Sequence, residues 1–368
     1  MPPSHTPASW DLSPLLTHLS GVKVLGLGEP THGTAEAFRW KSEVIRTLTE
    51  AGRLRVLAWE CGYATGRLLD AALRFGRGEV EAALRAQRFW PWETREILET
   101  LTWLRDWNLG RPERVRFVGV DVQEPYEGVR ELIAAGHDHP ALARLTQKGQ
   151  VEAGGGEARE LLVALGGIEE DGLDPVLRAL ARNARRFVDA YLLDADHARL
   201  GLRDRFMAET LLEEGVTETG LTVFWAHNEH VAVNPDFAGD PAAGWFLRER
   251  LGPRYLAVGM LMGKGIFRTR DMDAHGRPKP LADLPVGPPA PHHSEALFVG
   301  SGDRLYRTES HPHPGPRRFL GGQYGVEWAR TEPHAFEVAR PLSDFDLILF
   351  HQRTTAARPL DATSPAPP

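Results

Sequence analysis

The chain has 368 residues and a formal net charge of -7, with a sequence pI near 6.1; it is long enough for one large α/β domain or two smaller ones, and without a long basic run it does not read as a binder of nucleic acid or anionic membrane. Its single cysteine, Cys61, excludes an intrachain disulfide framework and a multi-cysteine metal site and accords with a reducing compartment. The opening Met-Pro-Pro-Ser-His-Thr-Pro lacks a basic n-region and an apolar h-region, and no stretch reaches the ~18 apolar residues of a membrane span, so a soluble, cytoplasmic protein acting on a small molecule is expected.

Val22 and Val24, followed by the Leu25/Leu27 pair, predict a strand buried on both faces. It ends in the turn Gly-Glu-Pro-Thr-His-Gly over 28–33, which carries Glu29 and His32. Pro30 pushes Glu29 out of the helical region, so both side chains sit on a loop above a strand end. A helix follows, with Ala37, Phe38, Val44, Ile45 and Leu48 at helical spacing, Thr31 or Thr34 as cap and Gly52 as stop. The pattern repeats. Residues 55–60 form a second apolar run that ends at Glu60 and turns at Gly62, helical periodicity resumes over 65–74, 79–87 and 94–107, and a third run over 115–120 ends at Asp121 and Gln123. Such alternation predicts an α/β fold: a mostly parallel central sheet flanked by helices, with right-handed crossovers.

Residues 124–160 interrupt every period with Gly, His, Pro and Ala, and 154–156 reads as a flexible joint. Two helices then follow over 174–194 and 202–214 with no strand between them, which suggests an inserted helical cap over the carboxyl edge of the strands. Strands return at 221–226, ending at His227-Asn-Glu-His230, at 255–261, and at 345–350, ending at His351; the proline-rich 278–292 and 311–318 read as loops or an excursion near the sheet edge. The expected division is a first part of the core over 1–127, the helical insertion over 128–215, a second part of the core over 216–357, and a disordered tail over 358–368.

Open parallel sheets bind ligands beyond the carboxyl ends of their strands, where loops and helix N-termini converge. Read to its end, each run here contributes a reactive group: Glu29 with His32, Glu60, Asp121 with Gln123, His227 with His230, and His351. No Gly-x-Ser-x-Gly elbow exists to support a serine nucleophile. Cys61 lies beside Glu60, which raises a thiol's pKa and argues against a cysteine nucleophile. Gly26-Leu-Gly28 begins a dinucleotide fingerprint that Pro30 and His32 break, and 259–265 lacks the spacing of a phosphate loop. The residues support instead an imidazole, held by carboxylates, that activates water, with Arg203 on the cap as a permanently charged donor to an oxyanion. In a competing reading Glu29, His32, Glu60, His227 and His230 are acceptable ligands for Zn, Mn or Fe, but His-x-x-His is a weaker metal signal than a helical HExxH pair, and no metal and no cofactor are expected.

These residues resemble the erythromycin esterase family of hydrolases. Residues 28–33 look like its signature turn, and the similarity continues through Leu57-Ala-Trp-Glu60, Gly119-Val-Asp-Val-Gln123, Arg203-Asp-Arg-Phe-Met-Ala-Glu209 and Trp225-Ala-His-Asn-Glu-His230, in order from about residue 20 to the 345–355 segment. The resemblance implies an α/β core with a helical lid over a cleft, and hydrolysis of a carboxylic ester or macrolactone, with macrolide resistance as the family setting. It implies that Glu29 and His32 activate water, and that Glu60, Arg203, His227 and His230 are further active-site residues. A basic residue on the helix after the turn also belongs to the family site, and Arg39, Lys41 and Arg46 are the candidates.

The expectation is therefore an esterase of this type. His32 is the general base, Glu29 and Glu60 orient and charge-tune the imidazoles, Arg203 and His227 stabilise the oxyanion, and His230 positions water or substrate. Asp121, Gln123, Asn228 and Lys41 contact the substrate, a small-molecule ester. The alternatives are a non-catalytic metal- or haem-binding protein of related fold, a metal-dependent hydrolase, and a biosynthetic enzyme acting on a carbohydrate or other small molecule.

Overall fold

The computed structural model describes residues 10–170, 174–193, 200–217, 219–236, 240–311 and 315–361. Its centre is the short strand β1 (Val24–Leu27), buried along its whole length. Around it lie β2 (Leu54–Gly62), β3 (Arg116–Asp121), β4 (Leu221–Trp225), β5 (Tyr255–Met272), β6 (Pro278–Val286) and β7 (Arg304–Arg307), the two-residue strands β8 (Arg317–Arg318), β9 (Gln323–Tyr324) and β10 (Glu337–Val338), and β11 (Leu347–Thr354). The main sheet runs β3-β2-β4-β1-β5-β11-β7. All its neighbours are parallel except β7, which closes the edge antiparallel to β11. The fold class and the parallel sheet are thus as the alternation of elements implies.

Side chains alternate across the pleat. Leu25, Leu27, Leu57, Trp59, Val223, Trp225, Val258 and Met260 face one layer. That layer comprises α1 (Ser13–Leu16), α2 (Ala35–Glu50), α3 (Tyr63–Phe75), α4 (Val80–Arg85) and α5 (Arg95–Leu109). Val24, Val56, Ala58, Phe224 and Ala257 face the other, where Met207, Ala208 and Leu247 pack. A separate apolar cluster joins α6 (Tyr126–Ala134), α7 (Pro140–Arg144), α8 (Gly156–Glu170) and α9 (Pro175–Tyr191) through Val129, Leu132, Leu142, Leu161, Leu165, Leu180 and Val188. This is the cap. α10 (Leu200–Thr210), read from sequence as its second long helix, supplies Met207 and Ala208 to the sheet's own core instead. Among the described residues the remaining α-helices are α11 (Asn228–Val231), α12 (Ala243–Leu251) and α13 (Val326–Thr331). Among the described residues no helix is long and apolar enough to cross a membrane.

Three segments differ from the sequence reading. β5 runs eleven residues past the expected end at 261, to Met272, and 278–286 is a strand, β6, antiparallel to that outer half. Pro278, Pro280 and Pro285 are tolerated because β6 has no further neighbour to which a backbone N–H must donate. β11 passes through His351 to Thr354. Residues 358–361, expected to begin the tail, are bound: the Arg358 N–H and Nε donate to Glu96 at 3.0 Å, and the Leu360 N–H donates to the Glu93 carbonyl at 3.0 Å. The rest of the expected tail, 362–368, and the opening residues 1–9 lie outside the described residues.

Candidate active site

The turn after β1 is shaped by what presses on its two glycines. A side chain at Gly28 would place its Cβ 2.3 Å from Asn228 Oδ1, and one at Gly33 would place it 1.9 Å from the Arg268 carbonyl oxygen. Between them, Thr31 Oγ1 lies 2.6 Å from Thr34 Oγ1 and accepts the Gly33 N–H. This locks the loop with Glu29 pointing inward and His32 on the edge of the cleft.

Glu29 is wholly buried and fully engaged. Its Oε1 lies 2.8 Å from His32 Nδ1, and its Oε2 accepts from Lys41 Nζ at 2.7 Å and from the Trp225 indole at 3.0 Å. Lys41 also donates to the Ala226 carbonyl and lies 4.7 Å from the centre of the Trp225 ring. Burial pulls its pKa down to about 8, against the opposing pull of Glu29. Of the three candidate bases on α2, Lys41 is the one that joins the site. Arg39 pairs with Glu96 and Arg46 stacks on Trp103.

A second cluster forms where β2, β3, α10 and α11 meet. The register of β2 against β3 slips between Trp59 and Gly62, and the irregularity releases Glu60 from the ladder. Arg203 Nη2 donates to Glu60 Oε1 at 2.9 Å and to Asp121 Oδ2 at 2.6 Å, and its Nε donates to Asp121 Oδ1 at 3.1 Å. His230 is clamped between two carboxylates, with Nδ1 2.8 Å from Asp204 Oδ1 and Nε2 3.1 Å from Glu60 Oε1. Burial opposes its charge, yet Asp204 and Glu60 prevail and push its pKa up to about 10. Glu60 in turn is disfavoured by burial but held well below the usual carboxylate range by His230 and Arg203. His227 is the opposite case: burial and the neighbouring His32 hold its pKa well below the ordinary value. Its Nδ1 accepts the Glu229 N–H at 3.3 Å, so Nε2 carries the proton, and that buried atom meets no partner among the described residues.

The two clusters meet at one cavity of about 930 Å³, walled by His32, Glu60, Asp121, Gln123, Arg203 and His230. The His32 and His227 rings are 5.0 Å apart. Two expected substrate contacts are corrected. Lys41 lies behind Glu29, wholly buried, and the Asn228 amide is closed on the Met260 backbone, donating to its carbonyl at 2.6 Å and accepting its N–H at 2.9 Å. His351 is also away from this rim, 3.3 Å from Asp303 and edge-on to Trp10. Sequence reasoning passed over the 87–92 loop and Phe319, which packs edge-on against His227. Asp204 stands in the sequence simply as the acid after Arg203, and its contact with a histidine 26 residues away forms on folding.

As a metal set, Glu29, His32, Glu60, His227 and His230 do not fit. Glu29 is saturated by three donors and both His230 nitrogens face carboxylates. The described group whose donor atoms converge closely enough is His292, His293 and Glu337. There His293 Nδ1 accepts the Ala290 N–H, which places the ring proton on the Nε2 that faces Glu337. The imidazole and the carboxylate therefore satisfy each other.

A parallel sheet whose central strand ends in a buried Glu–His pair, under a helical cap, defines a capped α/β protein with a strand-end polar cleft. More narrowly, the chain belongs to the erythromycin esterase family, whose profile matches residues 50–354. That segment begins after the 28–33 turn. An erythromycin esterase type II of Escherichia coli is 27% identical over 112 residues, 30% of this chain and 26% of that protein, so the match spans about a quarter of the relative's length. Among solved structures, a Bacillus cereus protein superposes with a TM-score of 0.78 at 20% identity, covering 96% of this chain and 94% of that one. A succinoglycan biosynthesis protein gives 0.70 at 20% identity, covering 96% and 93%. A mutant of the erythromycin esterase EreC in its open conformation gives 0.68 at 17% identity, covering 97% of each chain. These structures share the fold.

Proposed function

We propose that the protein hydrolyses a carboxylic ester, lactones included, by attack of a water molecule that His32 activates. The observation that carries this reading is the 2.8 Å contact of His32 Nδ1 with Glu29 Oε1 at the cavity wall. A carboxylate acceptor at Nδ1 fixes the tautomer, leaves the Nε2 lone pair for water and steadies the imidazolium that forms. Lys41 and Trp225 hold Glu29 in place from behind. His227 supplies the donor for the tetrahedral oxyanion, since its buried Nε2–H is uncommitted and its ring adjoins His32. Arg203, given that role by the sequence reading, spends Nε and Nη2 on Asp121 and Glu60. It serves to fix those carboxylates, while His230, charged and clamped, holds Glu60 toward the cavity.

The test is incubation with macrolides, simple lactones and acyl esters, with and without chelator, followed by mass spectrometry for addition of water. Turnover that survives the chelator and falls ~10²–10⁴-fold in His32→Ala is expected. Full activity in that variant overturns the assignment. Turnover lost to the chelator favours a metal-dependent hydrolase, and binding without turnover favours a non-catalytic binding protein.

A further inference from the structure

The reacting centre pairs each of its cations with a carboxylate, because Arg203 lies between Glu60 and Asp121, His230 between Glu60 and Asp204, and Lys41 against Glu29. The rest of the cavity does not. Three further cations line it, Arg88, Lys148 and Arg270. They come from separate parts of the chain: the loop between α4 and α5, the loop between α7 and α8, and the outer half of β5. Glu124 is the one acid that lines the cavity outside the reacting centre. Among the described residues none of the three cations is ion-paired with a carboxylate; Arg270 Nη1 donates to the Lys279 carbonyl at 3.4 Å.

Position ties them to the chemistry. The Gly322 carbonyl accepts the Arg270 N–H at 3.2 Å. A Cβ at Gly322 would lie 3.5 Å from His32 Cδ2 and 3.8 Å from the ring of Trp90, two residues beyond Arg88. Arg88 and Arg270 thus flank one wall beside His32, and Lys148 faces the cavity from the cap. The backbone marks the same place. Arg88 and Glu124, with φ of 50° and 57°, are the two non-glycine residues at positive φ among those described. Side chains rarely adopt that conformation, and it gathers at ligand-binding sites.

We propose that the substrate is an organic anion, an ester that carries a carboxylate or phosphate group away from the bond cleaved, seated between Arg88, Arg270 and Lys148. This rests on the ester-hydrolase reading and names its substrate class. An arginine fork accepts either oxyanion in a two-point contact, and an ammonium adds a mobile point charge.

The test compares esters of one aromatic alcohol whose acyl group ends in methyl, carboxylate, phosphonate or ammonium. At low salt, kcat/KM for an anionic ester should exceed that of the neutral one by about tenfold or more, the worth of one charge-assisted hydrogen bond. The carboxylate and phosphonate arms tell which oxyanion is preferred. That ratio should collapse in ~1 M salt, where the Debye length is ~3 Å, and in Arg88→Gln/Arg270→Gln. A neutral or ammonium ester turned over as well as both anionic ones overturns the proposal, as does a ratio that survives the double substitution. If no ester is cleaved, the hydrolase reading fails separately. The charge preference is then read from quenching of tryptophan fluorescence by the corresponding amides, and a neutral amide that binds as tightly as the anionic ones overturns it.

Discussion

Glu29 serves two partners of different kinds, a histidine that must stay correctly protonated and a buried lysine that needs a counter-charge. Removing its charge therefore does more than disturb the base. Glu29→Gln removes the carboxylate paired with Lys41, so the buried amine must either shed its proton or stay as an unpaired ammonium, which is expected to cost about 3–5 kcal/mol in urea unfolding. Glu29→Gln/Lys41→Met should recover a large part of the stability and none of the activity; equal losses in the single and double variants would show that Lys41 is not the source. His230 makes a pH prediction with a definite sign. Its pKa is raised from 6.5 to about 10, so its contribution to stability is complete below pH ~6.5 and is lost as pH climbs through about 10. Lys41 is depressed from 10.5 to about 8. Its burial therefore costs stability below about 8, and that cost is relieved between 8 and 10.5. Unfolding free energy should fall by about 1.4 kcal/mol per pH unit from 6.5 to 8 and then level off as the two effects oppose each other. Asp204→Asn, which takes a carboxylate from His230, should weaken the fall; a slope unchanged in that variant would remove His230 as its cause.

Among the elements, the turn over 28–33 joins sequence to geometry most directly, since each glycine sits where a side chain would strike a named neighbour. Gly33→Ala drives a methyl group into the Arg268 carbonyl, so His32 must move with the loop. Overpacking of this kind costs about 1–3 kcal/mol, and kcat should fall along with stability. Gly52→Ala is the contrast. That residue ends α2 at φ 64° with open space around it, so the strain of about 1–2 kcal/mol should appear in unfolding alone. If both variants lose activity equally, the turn does not position the base. The strand ends were legible because buried apolar runs stop at polar residues that need the cleft, as at Glu29, Glu60, Asp121 and His227. His351 has the same local appearance, yet its strand continues, because Asp303 and Trp10 meet the imidazole inside the sheet layer. β6 was unreadable for a different reason: three prolines mask a strand whose edge position does not need their missing donors.

At the scale of the whole molecule, His32, Glu60, Asp121, Gln123, Arg203 and His230, which line the cavity, could be picked out from sequence while their pairings could not. Arg203 reaches acids 82 and 143 positions away, and nothing local specifies those partners. The same holds for the cap. Its helices share an apolar core that also takes in Ala64 of α3, and polar contacts tie it to the rest of the body. Arg186 of α9 is clasped by Glu209 and Glu213 just across the junction, the Asn183 amide donates to the Asp121 carbonyl, and Gln123 donates to the Tyr191 hydroxyl at 2.9 Å. Units with separate cores and polar seams open independently more readily than a shared core does. In native-state hydrogen exchange, amides of α8 and α9 should therefore exchange at lower free energy than those of β1 and β4, which are buried along their whole length. A ligand in the cavity should slow exchange around Lys148–Gly149 and Phe187–Leu192, where the cap lines it, and leave the outer face of α8 unchanged. Protection rising evenly over the whole chain would instead mean that cap and sheet open as one unit.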